Sequence, residues 1–165
     1  MQILSDKEIN KICKQVVNTS ELNDIFLHSL FDTLYKTGLR VGEVTDWSQW
    51  TIVSKKYLQV QTLKGSNPRT FKNKKLNQIY VDLIRYNTTY LAQFNYKNLS
   101  RAFNRFAPYS QLLIGNKQVS THLFRHNKAK KLKAKGYTDI EIQTYLGEKD
   151  LKNALVYINS KIYVL

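Results

Sequence analysis

The chain has 165 residues, with 26 Lys and Arg against 12 Asp and Glu and a formal charge of +14. This length fits one domain of ~100–200 residues, large enough to bury a core without staples. The single cysteine, Cys13, excludes an intramolecular disulfide and a multi-cysteine zinc site. Asp6, Lys7, Glu8 and Lys11 break up the N-terminus, so no signal-peptide stretch is expected. No apolar run approaches the ~18 residues of a membrane helix. The expectation is a cytoplasmic, membrane-free protein with a polyanion as its partner.

Ser5-Asp6-Lys7-Glu8 has the form of a capping box, and Ile9, Ile12, Cys13, Val16 and Val17 then recur at helical spacing. A second helix begins near Ser20 or Asn23, carries Leu22, Ile25, Phe26, Leu30 and Leu34 on one stripe, and stops at Gly38. Trp50–Ser54 and Tyr57–Leu63, joined at Lys55-Lys56, read as a hairpin in which Leu58, Val60 and Thr62 alternate with Gln59 and Gln61. Gly65-Ser66-Asn67-Pro68 turns into a short strand at Arg69–Phe71. Helical patterns resume over Leu76–Tyr86 and again through Leu99, Phe103 and Phe106 before Pro108. Ser120 is expected to cap a helix from Thr121 to Lys135, closed by Gly136. Thr138 caps another, with Ile140, Ile142, Tyr145 and Leu146, and a last helix runs over Leu151–Tyr157. The apolar tail Lys161–Leu165 has no evident partner in the sequence. The fold class is therefore α+β, mainly α-helical, with one small antiparallel sheet.

The 11 Tyr and 7 Phe are interleaved with the basic residues. Lys and Arg hold phosphates, and aromatic rings stack on bases. The plainer reading is a solvated basic surface over an aromatic core. Four segments narrow the choice. Thr37-Gly38-Leu39-Arg40-Val41-Gly42-Glu43 sets an arginine just past a glycine stop. Lys64 stands where a strand meets a turn, and Arg69, beyond that turn, is a further candidate DNA contact. His122 and Arg125 share a helix face at i, i+3. Leu146-Gly147-Glu148 precedes Tyr157 by nine residues, counted from Glu148.

Two guanidiniums can clamp the non-bridging oxygens of a phosphodiester. They stabilise the charge that builds there in the transition state. A lysine can protonate a leaving oxygen, a histidine can move a proton, and a tyrosine hydroxyl can attack phosphorus. Taken singly, each residue has an ordinary role: Arg40 fits a surface ion pair with Glu43, and most tyrosines simply pack. Their order and spacing carry the argument.

The chain resembles the catalytic domain of the tyrosine recombinase (phage integrase) family. Thr37 to Glu43 matches its Thr-Gly-Leu-Arg-x-x-Glu motif, Lys64 its hairpin lysine, and His122, Arg125 and His126 its His-x-x-Arg-His motif. Leu146-Gly147-Glu148 to Tyr157 keeps its interval between Leu-Gly-His and the nucleophile. The resemblance extends from about Leu4 to Tyr157 and implies DNA strand cleavage and rejoining through a 3′-phosphotyrosyl intermediate, without metal or cofactor. It assigns Tyr157 as nucleophile, Arg40 and Arg125 as phosphate clamp, Lys64 as acid for the 5′-oxygen, His122 to proton transfer at the tyrosine or a hydrogen bond to the phosphate, and Glu148 to the accessory catalytic position. The implied partners are double-stranded DNA and further recombinase protomers in a tetrameric synapse. Residues 1–165 then form a single catalytic domain, with the family's N-terminal core-binding domain expected to be absent. Glu148 departs from the family's histidine or tryptophan, and Ala154 from a common threonine. A carboxylate at 148 repels a phosphate and competes with it for the arginines. Three alternatives stay open: a non-catalytic DNA-binding relative, a topoisomerase-like nicking and relaxing enzyme, and a basic helical RNA-binding or ribosome-associated module.

Overall fold

The computed structural model describes residues 24–45, 50–54, 57–61, 67–72, 112–114, 117–118 and 122–164, with positions 3, 5, 7, 8, 11 and 14 near the N-terminus. The capping box forms there: Ser5 N donates to Glu8 Oε2 at 2.8 Å, and Glu8 N donates to Ser5 Oγ at 3.3 Å. Helix α1 spans Asp24–Thr37 and the short α2 spans Val41–Thr45. Strands β1 (Trp50–Ser54), β2 (Tyr57–Val60) and β3 (Arg69–Lys72) follow. They form an antiparallel sheet in the order β1-β2-β3, with Trp50 opposite Val60 and Val60 opposite Arg69. Val60 is buried between exposed Gln59 and Gln61, as the alternation predicts.

Strands β4 (Leu112–Ile114) and β5 (Lys117–Gln118) precede three helices: α3 (Leu123–Ala134), α4 (Asp139–Leu146) and α5 (Leu151–Asn159). The last strand is β6, Ile162–Val164. The apolar tail does have a partner. Strand β6 pairs antiparallel with β4, Leu113 opposite Tyr163, in a second sheet ordered β5-β4-β6. Pairing between residues some fifty positions apart leaves no local pattern, which is why the sequence predicts one sheet rather than two. The helices predicted over 76–86 and around 99–106 lie outside the described residues.

Helix α3 begins at Leu123, two residues later than expected, with His122 at the N-cap and no side-chain cap bond. Ser120, the expected cap, lies outside the described residues. Thr138 and Glu141 form a complete capping box on α4, and Asp150 caps α5 by accepting from Lys152 N. The core lies between α1 and α3, where Phe31 stacks on Phe124 at 5.7 Å, and continues through Ala129, Leu132, Ile142, Leu146 and Ile158. Helix α3 is buried on nearly every side, including Arg125, His126, Asn127 and Lys130. Desolvating so many polar groups is unfavourable unless each finds a partner.

Candidate active site

The turn after α1 is fixed by backbone chemistry. Gly38 has φ +65°, and a Cβ there would lie 3.1 Å from the Lys128 side chain, so only glycine fits without strain. Thr37 Oγ1 donates to Thr33 O at 2.6 Å and accepts from Leu39 N at 3.1 Å. This turn delivers Arg40 to the start of α2. The buried Glu43 carboxylate accepts from Arg40 N at 2.9 Å and lies 3.4 Å from Arg40 Nη1. Trp50 Nε1 donates to Glu43 O at 2.8 Å, which ties α2 to β1.

Arg125, on the first turn of α3, is 1% exposed. Its Nη1 donates to Gly38 O and its Nη2 to Leu146 O, both at 2.8 Å. Two separate segments thus aim one guanidinium. Among the described residues the buried Arg125 Nε–H has no hydrogen-bond partner. Helix α4 ends at Gly147, φ +70°, and the chain folds back so that Glu148 N donates to Gln143 O at 3.0 Å. That reversal points Glu148 inward. Its Oε1 lies 2.5 Å from Arg40 Nη2 and 2.6 Å from Arg125 Nη2. Both guanidiniums therefore converge on one anionic oxygen, in a setting where the Arg40 and Glu148 side chains are only 12% and 6% exposed.

Tyr157, on the last turns of α5, packs against the same cluster. The Arg125 guanidinium lies 4.8 Å from its ring centre, His126 at 4.8 Å and His122 at 6.3 Å, the last nearly parallel at 17°. A cleft of about 370 Å³ opens here, and Arg40, His122, Glu148, Lys149, Asn153 and Tyr157 contribute to its lining. Burial pushes the His126 pKa down to about 4, helped by His122, Lys130 and Arg125, so its imidazole is neutral near pH 7. Among the described residues no group of three or more His, Cys, Asp or Glu gathers as metal ligands would, and no helix is long and apolar enough to cross a membrane.

The structure thus brings together Arg40, His122, Arg125, Glu148 and Tyr157 from α2, α3, α5 and the α4–α5 turn. Lys64 lies outside the described residues. Arg69 sits differently from the DNA contact expected of it. Alternation along β3 turns Arg69 and Phe71 inward, and Arg69 is 4% exposed. Its Nη1 donates to Tyr145 O at 3.1 Å, and its Nη2 lies 3.5 Å from Glu43 Oε1. Burial lowers its pKa to about 9 despite the raising effect of Glu43. Arg69 stands behind the clamp, not on its face. Gly147, which the sequence offers only as the middle of Leu146-Gly147-Glu148, has a conformational role: an added Cβ would lie 3.1 Å from both Arg69 Cδ and Asn67 O.

The chain matches the profile of the phage integrase family over residues 2–162. It belongs to the phage integrase family. Its fold is similar to the catalytic domains of tyrosine recombinases of that family. XerA recombinase superimposes with a TM-score of 0.63 at 19% identity, covering 96% of this chain and 60% of that one. A lambda integrase (75–356) dimer bound to a COC′ core site gives 0.63 at 21% identity, covering 95% and 59%. The XerH site-specific recombinase bound to difH substrate, in a pre-cleavage complex, gives 0.64 at 18% identity, covering 95% and 50%. The integrase-family chain described above thus spans between half and three-fifths of the length of these structures. No curated protein sequence matches it.

Proposed function

We propose that the chain cleaves and rejoins duplex DNA through a 3′-phosphotyrosyl intermediate, as a site-specific recombinase or integrase. The observation that carries this reading is the convergence of Arg40 and Arg125 on one oxygen, 2.5 and 2.6 Å away, beside the Tyr157 ring. A non-bridging phosphate oxygen in that position receives two charge-assisted hydrogen bonds, and the bonds strengthen as charge builds in the transition state. Tyr157 Oη attacks phosphorus and the bond to the 5′-oxygen breaks. His122 takes up the phenolic proton, and Lys64 delivers a proton to the departing 5′-oxygen. Attack by a 5′-hydroxyl on the phosphotyrosine reverses the step, so phosphodiester bond energy is kept. Further copies of the chain cleave a second duplex, whose 5′-hydroxyls then attack the phosphotyrosines of the first and exchange the strands.

A nicked suicide duplex tests the reading, because loss of the short 5′-product traps the protein–DNA adduct. The expected result is an adduct on a denaturing gel from the parent and none from Tyr157→Phe, with DNA binding retained. An adduct surviving in Tyr157→Phe refutes the nucleophile. A second reading is favoured by Glu148, which fills the clamp: a relative that binds DNA without cutting it. A parent that binds duplex yet yields no adduct on any site supports that reading.

A further inference from the structure

Helix α5, which carries Tyr157, ends against a buried ammonium group. Lys130 on α3 is 0% exposed. Its Nζ donates to Ile158 O at 3.2 Å and to Ser160 O. Among the described residues these carbonyls are its polar contacts, and neither is a full negative charge. Taking an ammonium out of water without a carboxylate is unfavourable, and burial lowers the Lys130 pKa accordingly. The end of α5 is what compensates. The last carbonyls of a helix lack intrahelical partners and form the negative end of its dipole. An apolar side chain at 130 would take the donor from both carbonyls and leave that of the buried Ile158 without it.

A second contact acts at the same place. His126 Nδ1 lies 2.5 Å from Ser160 Oγ, and Ser160 Oγ donates to Tyr157 O at 3.2 Å. Carbonyls of residues 157, 158 and 160 are thereby tied, directly or through one hydroxyl, to side chains of α3. The same helix carries Arg125, whose guanidinium faces the Tyr157 ring at 4.8 Å. One rigid rod therefore holds the phosphate-clamping group and, five residues on, the end of the nucleophile's helix.

We infer that Lys130 is a positioning residue: its buried ammonium caps the C-terminus of α5 and so sets the place of Tyr157 relative to Arg125. The inference rests on the phosphotyrosyl reading above. Lys130 touches neither DNA nor the reacting atoms and acts only through α5. Its effect falls on the saturated cleavage rate and not on affinity.

Lys130→Met keeps all but the last atom of the side chain's length and removes the ammonium. Lys130→Gln keeps a neutral donor, and Lys130→Arg keeps the charge. Single-turnover cleavage of the suicide duplex is measured at saturating DNA, with the half-saturating DNA concentration taken from the same titration, well below each protein's Tm. Lys130→Met is expected to cleave ~10²-fold more slowly, the loss that misplacement by about 1 Å brings. Its half-saturating concentration should stay within about twofold of the parent's, since a buried side chain makes no phosphate contact. Lys130→Gln should fall between, and Lys130→Arg should recover most of the rate. A role confined to stability would lower Tm and leave the saturated rate intact, so a folded Lys130→Met or Lys130→Gln protein cleaving at the parent rate overturns the inference. If Lys130→Met does not fold, the Gln and Arg variants carry the same comparison. A parent without an adduct sinks the phosphotyrosyl reading itself, whereas a parent adduct abolished by Tyr157→Phe and undiminished by Lys130→Gln sinks only the role of Lys130.

Discussion

Replacing Glu148 should raise activity and lower stability together. Its Oε1 makes two short contacts, 2.5 Å to Arg40 and 2.6 Å to Arg125. Hydrogen bonds to charged groups contribute ~1.5–3 kcal/mol each, so ~3–6 kcal/mol of interaction must be exchanged when a phosphate oxygen takes the carboxylate's place. The phosphate restores most of that by making the same bonds. What it does not restore is repulsion: a carboxylate pushed ~5 Å aside still opposes a phosphate charge by ~3 kcal/mol at an effective dielectric near 20. Water entering the open cleft weakens this to about half, which leaves a handicap of ~10–100-fold. Glu148→His removes the repulsion and supplies a donor, so single-turnover cleavage at neutral pH should rise by ~10-fold or more. Glu148→Gln should give part of that gain. In the free protein the same change strips a shared anion from two guanidiniums, of which Arg125 is 1% exposed. Arg40 keeps Glu43, and Arg125 keeps the carbonyls of Gly38 and Leu146, so the loss of stability should sit at the low end for a broken buried pair, ~3 kcal/mol. Bound DNA should recover part of the lost Tm by occupying the clamp. The assays are suicide-substrate cleavage across pH and thermal unfolding with and without duplex. If Glu148→His cleaves much more slowly than the parent at every pH, the competition argument is wrong and Glu148 has a positive role.

Arg40→Ala or Arg125→Ala should each cut cleavage by ~10²-fold or more, and Lys at either position should rescue poorly because it lacks the planar fork; equal rates for the Lys variants and the parent would rule out a role for the guanidinium fork. His126, with its pKa lowered to about 4, favours the neutral form in the folded state, so its contribution is present above the unfolded value of ~6.5 and is lost as pH falls from there toward 4. Over that window unfolding in urea should show up to ~3 kcal/mol less stability, and His126→Gln should flatten the dependence; an unchanged slope would place the titration elsewhere. Gly147→Ala should cost ~1–2 kcal/mol for the left-handed backbone alone, and its Cβ would press on Arg69 and Asn67, so reduced Tm and a shifted cleavage rate are expected together.

The parts of the fold that were legible in the sequence are those with local physical causes. The capping box at Ser5–Glu8, the cap at Thr138, the glycine stop at 38 and the polar alternation around Val60 each arise from neighbours within a few residues. Spacing along the chain also sufficed to nominate Arg40, Arg125, Glu148 and Tyr157, which the fold gathers around one oxygen and one ring. Spacing does not fix which way a side chain turns. Arg69 shares the basic composition of a DNA contact, yet the pleat of β3 turns it inward to Glu43 and Tyr145. Lys130 is one lysine in a run of them, and its burial is set by α5 packing over α3, a relation between distant segments. The pairing of β6 with β4 is hidden for the same reason.

The ion network at the site is built from both ends of the chain, since Arg40 and Glu148 are 108 positions apart. At a synthesis rate of ~5–20 residues per second, roughly 5–20 s pass between the two residues on the ribosome. Through that interval Arg40 has Glu43 beside it, but Arg125, once made, has no anion to meet. The carbonyl of Leu146 that holds Arg125 also arrives only 21 residues after it. Until Leu146 and Glu148 are made, the Arg125 guanidinium lacks two of the partners that hold it in the folded site. The order in which the partners of the site appear is set by their sequence positions rather than by the strength of their contacts.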